Sequence, residues 1–93
     1  MQFKGPVVEW RGPAPFYFVA IPAEASADIK FPAKGREYWG QVPVVVRIGE
    51  LEFTTALFPR ERNYFLPLRD VVRSSAGIEL DHVVAVWLSV GRQ

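Results

Sequence analysis

The residues able to do chemistry are few and scattered. There is one histidine, His82, and no cysteine, which excludes a thiolate nucleophile, a disulfide and a thiolate metal site. His82 follows Asp81, but consecutive residues entering a strand point to opposite faces, and no serine adjoins them to complete a relay. One histidine with scattered carboxylates also falls short of a metal-binding set. The carboxylate pairs Glu50/Glu52 and Glu79/Asp81 stand beside a hairpin turn and at the start of a strand, where acidic side chains usually face solvent. The glycines are isolated, so no glycine-rich phosphate loop exists. The sequence points away from an enzyme, and it calls for no cofactor and no metal.

Two constellations remain. Arg60, Arg62, Arg69 and Arg73, half of the chain's eight arginines, surround Tyr64 and Phe65. Guanidinium groups contact carboxylate or phosphate bidentately and stack on rings, so these residues with Tyr64 are the candidate site for an anion or a single nucleic-acid strand. Arg69 and Arg73, four apart, would share a helix face. Against this, Glu61 and Asp70 interrupt the run, and an Asp70–Arg73 pair would leave a merely solvated rim. The second constellation is Tyr38, Trp39 and Trp87, large aromatics that could line a barrel mouth and take an apolar or planar ligand, or simply plug its ends.

The composition narrows the setting. Ninety-three residues, 49% hydrophobic and 14% aromatic, make one small domain over residues 1–93 with a core just sufficient to fold. Formal charge is +1, which offers no broad field for nucleic acid or an anionic membrane. The uncharged stretch Pro13 to Ala23 is far shorter than the ~20 residues that span a bilayer. The start MQFKGPVVEW lacks the basic and apolar regions of a secretory signal, so a soluble cytoplasmic protein is expected.

Eight prolines and seven glycines punctuate the chain in the rhythm of short strands and turns. Phe3–Trp10 and Phe16–Ile21 read as strands, Pro22–Phe31 as a short helix and Pro32–Gly40 as a loop. Between Gln41 and Pro59, the Ile48-Gly49-Glu50-Leu51 segment suits a two-residue type II′ turn. Counting outward pairs Ile48 with Leu51, Val46 with Phe53, Val44 with Thr55 and Val42 with Leu57 on one apolar face, and Arg47 with Glu52 on the other. A polar loop over Pro59–Asn63 leads to a strand Tyr64–Leu66 closed by Pro67. A helix over Leu68–Ala76, with Leu68, Val71, Val72 and Ser75 at helical spacing, is capped by Gly77. Val83–Val90 is apolar on both faces, which predicts a central strand covered on each side. The whole is a mainly β fold, a small closed or partly open barrel of about six strands with one or two short helices.

These landmarks resemble a known family. The runs Phe16-Tyr17-Phe18-Val19-Ala20-Ile21-Pro22, Trp39-Gly40-Gln41-Val42-Pro43-Val44, Leu57-Phe58-Pro59, Tyr64-Phe65-Leu66-Pro67-Leu68-Arg69-Asp70-Val71-Val72-Arg73 and Gly77-Ile78 look like the DUF1905 family of small bacterial and archaeal β-barrels. Its members are often fused to a helical domain of the YdeI/OmpD-associated type. With the chain reading only to Gln93, no such partner is expected here. The family usually has lysine at Arg69 and a Gly-Asp pair at Leu80-Asp81. The latter departure raises the question of how the last turn is made, since leucine resists positive φ. The resemblance implies a barrel and supplies no activity. The functional expectation is a non-catalytic binding or interaction module whose partner is a protein, a small ligand or a second copy. The alternative is an anion or single-strand binder using the arginines.

Overall fold

Six strands and two helices make up the described residues, 1–11, 16–33 and 41–91, of a computed structural model. In chain order they are β1 (Gln2–Trp10), β2 (Phe16–Ala20), α1 (Ala23–Ala33), β3 (Val42–Ile48), β4 (Leu51–Arg60), β5 (Asn63–Leu68), α2 (Asp70–Ala76) and β6 (Val83–Val90). The strands close into a barrel in the order β1-β2-β5-β4-β3-β6, all neighbours antiparallel. The expected fold class is the observed one, and the barrel is closed.

The β3–β4 hairpin has the register that its alternation demands. Ile48 faces Leu51, Arg47 faces Glu52, Val46 faces Phe53, and the ladder runs on to Val42–Leu57. Gly49 has φ 60° while Glu50 has no positive φ, as a type II′ turn requires. Val42, Val44, Val46 and Leu57 are fully buried, whereas Arg47 and Glu52 are exposed.

Prolines mark where strands change partner. β1 pairs with β6 over Gln2–Pro6 and with β2 from Val7 onward. β4 pairs with β3 up to Leu57 and with β5 only from Phe58 to Arg60. Alternate residues of a strand direct their backbone groups to opposite neighbours. The Tyr64 carbonyl accepts the Ile21 N–H at 3.2 Å, on the β2 side, so Phe65 and Pro67 direct theirs toward β4. There the ladder ends at Phe58–Phe65, and the missing N–H of Pro67 breaks nothing. By the same count Pro59 faces the β3 side, beyond the end of that ladder. Both prolines therefore lie within strands, and the expected ends at Pro59 and Pro67 move outward. β4 and β5 meet in a two-residue turn, Glu61-Arg62, in place of the longer polar loop.

At the other partner change, β1 passes very close to β2. A Cβ on Gly5 would lie 2.3 Å from the Ala20 carbonyl oxygen, so only glycine fits.

Three further expectations are corrected. Leu68 belongs to β5, and α2 begins at Asp70. The buried stripe of this two-turn helix is Val72 with Ala76 packed beside it, while Val71 is 68% exposed. β6 is central, between β1 and β3, but only its inner face is covered. Val83 is 67% exposed, because barrel closure buries one face of each strand and leaves the other outside. The turn before β6 avoids strain at Leu80 by placing the left-handed conformation on Asp81, φ 70°, a residue type that tolerates it. Gly77 adopts the expected left-handed cap, φ 65° and ψ 35°, and the Ile78 N–H closes the helix end on the Arg73 carbonyl at 2.9 Å.

α1 sends Ile29 and Ala33 into the core, and Ser26 with them. The Ser26 hydroxyl donates to the Ile21 carbonyl at 3.2 Å and accepts the Tyr64 N–H at 3.1 Å, joining α1 to the ends of β2 and β5. None of the described helices is long and apolar enough to cross a membrane.

Candidate functional site: an aromatic cleft at a parted seam

Because β4 meets β5 only at its far end, the two strands part above Phe58. An open cleft of about 1180 Å³ lies at this seam. Trp10, Phe16, Tyr17, Phe18 and Phe58 supply its aromatic wall, Thr54, Thr55 and Ala56 line it from β4, and Leu68, Arg69 and Asp70 come from the junction of β5 and α2.

The wall is built by strand alternation. Phe18 points outward from β2, and Trp10 ends β1 on the same outer surface. Their ring centroids are 4.1 Å apart, and Phe65 lies 5.0 Å from Trp10. Phe58 and Phe65 meet Phe18 edge-on at 6.0 and 6.4 Å, within the range of favourable ring pairs. This second apolar cluster lies outside the barrel and covers Phe18 almost completely. Phe16 and Phe58 remain 59% and 36% exposed.

The arginines are distributed among different partners. Arg60 lies over the Trp10 ring at 4.5 Å. Arg73 lies over Tyr17 at 3.9 Å and pairs with Asp70, as the i, i+3 spacing suggested. Its side chain is 25% exposed, so it does not face water as expected of that helix face. Arg62 is exposed in the turn, and Arg69 is exposed at the start of α2. Tyr64 is buried in the barrel interior, leaving its ring out of reach of a surface ligand. Of the five residues, only Arg69 lines the cleft.

Trp87 is half-buried on the outer wall of β6 rather than at a mouth, with the Arg47 guanidinium 5.2 Å from its ring centre. Tyr38 and Trp39 lie outside the described residues. His82 sits beside β1, away from the cleft. Its Nδ1 accepts the Glu79 N–H at 3.3 Å and its Nε2 lies 3.5 Å from the Glu79 carboxylate. Among the described residues no group of three or more histidine, cysteine, aspartate or glutamate side chains could hold a metal.

Residues 3–88 match the family described as a domain of unknown function, DUF1905. The chain belongs to that family. No similar curated protein and no similar solved structure was found. In this DUF1905 barrel the aromatics that build the cleft, Trp10, Phe16, Phe18 and Phe58, were not singled out by sequence reasoning. A signal existed in the alternation of Phe16, Tyr17 and Phe18, which puts two rings on one face of a five-residue strand. What the alternation omits is the seam that gathers Phe58 and Trp10 to that face.

Proposed function

We propose that this protein is a non-catalytic binding module whose ligand places an apolar or aromatic group in the seam cleft. The observation that carries the reading is the aromatic wall itself, with Phe16 and Phe58 exposed on a concave surface instead of being folded into the core. Concave, largely apolar surfaces with a few polar groups are the usual form of ligand sites. The polar groups of the cleft suit binding better than catalysis. Thr54, Thr55 and Gln41 offer hydrogen bonds, Arg69 offers a cation, and Asp70, the carboxylate among the lining residues, is engaged by Arg73.

The dye 8-anilinonaphthalene-1-sulfonate, an apolar ring system with one anionic group, is a direct probe. The folded protein should bind it saturably with enhanced emission. Phe16→Ala and Phe58→Ala should weaken binding, and Val83→Ala on the far wall should not. Equal binding by all three variants would remove the cleft as the site.

A further inference from the structure

The exposed edge of β4 gives the cleft a second recognition element. In a hairpin with a two-residue turn the flanking residues exchange ladder bonds, so bonded pairs recur at Ile48–Leu51, Val46–Phe53, Val44–Thr55 and Val42–Leu57. Glu52, Thr54 and Ala56 therefore direct their N–H and C=O groups away from β3. The phase is supported by Pro43, opposite Ala56, whose carbonyl turns the other way and accepts the Gly91 N–H at 2.8 Å. On its outer side β4 meets β5 only at Phe58–Arg60. The next β5 residue aimed at β4 is Pro67, which has no N–H to give. Beside the cleft, β4 thus has no ladder partner on that side at Glu52, Thr54 and Ala56 among the described residues.

We infer that the cleft receives an extended polypeptide that adds to β4 as a short strand, with a large apolar side chain against Phe58 and Phe18 and an acidic group at Arg69. The inference rests on the binding reading above and names its ligand class. Unpaired main-chain groups beside pockets for alternate side chains are the elements of recognition by strand addition. The acidic group follows from charge. Asp70 is taken up by Arg73, whereas Arg69 has no carboxylate partner among the described residues, so the cleft carries an uncompensated cation. A cleft of about 1180 Å³ also exceeds the roughly 300–1,000 Å³ typical of small-molecule sites.

A phage-displayed random nonapeptide library, panned on the intact protein and counter-selected on Phe58→Ala, tests this. Enriched peptides should alternate apolar and polar residues and carry an acid. The best of them, made synthetically, should slow amide exchange at Thr54 and Ala56 by about tenfold or more. N-methylation of one alternate set of its amides should weaken binding by about tenfold, while methylation of the other set has little effect. Arg69→Glu should abolish the preference for the acid. If both methylated forms bind alike and the two amides stay unprotected, strand addition is wrong, while an intact dye site would leave the binding reading standing. Enrichment of helical peptides, or no enrichment at all, overturns the inference. Protection of the same amides in the protein alone, rising with its concentration, overturns it in favour of a second copy.

Discussion

The guanidinium of Arg73 lies 3.9 Å from the centre of the Tyr17 ring, one turn into a helix that was expected to hold it in water. Its Nε is buried without a hydrogen-bond partner among the described residues, while its Nη2 donates to Asp70, so the group both covers Tyr17 and holds that carboxylate. Arg60 and Arg73 thus lie over different rings, Trp10 and Tyr17, and Arg73 also holds Asp70.

Tyr17→Leu and Arg73→Lys should each therefore lower stability by about 0.5–2 kcal/mol, the range of a partly desolvated cation–π contact. The exposed Arg69→Ala should stay within about 0.5 kcal/mol. A urea titration of the three variants separates them, and equal losses at Arg69 and Arg73 would contradict the geometry. A double-mutant cycle at Tyr17 and Arg73 should show coupling.

Removing the Ser26 hydroxyl leaves the Tyr64 N–H without this acceptor in a buried setting. Ser26→Ala should cost about 1–3 kcal/mol, where the exposed Ser75→Ala should be close to neutral. Thermal melts of the pair provide the check.

Glu61 and Gly77 make an opposed pair. Both have left-handed φ, 59° and 65°, yet only Gly77 is free of the Cβ penalty of about 1–2 kcal/mol. Glu61→Gly should raise stability by about 0.5–1 kcal/mol once the entropy cost of glycine is subtracted, and Gly77→Val should lower it by at least about 1 kcal/mol. Nothing lies within 4 Å of a Cβ built at Gly77, so that loss would be conformational rather than steric. Chemical denaturation at matched slopes measures both signs.

Register in the hairpin is tested by Phe53 and Glu52, neighbours on opposite faces. Phe53 packs against the core while Glu52 is exposed. Phe53→Ala should cost about 3 kcal/mol, and Glu52→Ala no more than about 1. Similar costs in a denaturant titration would mean the faces are exchanged.

The Ile48–Leu51 turn, the register of Val42–Leu57 and the cap at Gly77 were legible in the sequence. In each, a glycine conformation and a two-residue or four-residue period act over a few neighbouring residues, so local chemistry decides the outcome. The closed barrel was legible as a class from many short apolar strands that need their edges paired. The cleft was not legible. It exists because β4 leaves β3 for β5 at Phe58 and β1 leaves β6 for β2 at Val7, choices set by how a sheet must bend to close. Side-chain alternation states which residues share a face of one strand. Which strands then lie side by side, and where they part, depends on pairing between distant segments. Tertiary structure alone therefore brought Trp10, Phe18 and Phe58 together, sent Tyr64 inward, and gave Arg60 and Arg73 separate rings to cover.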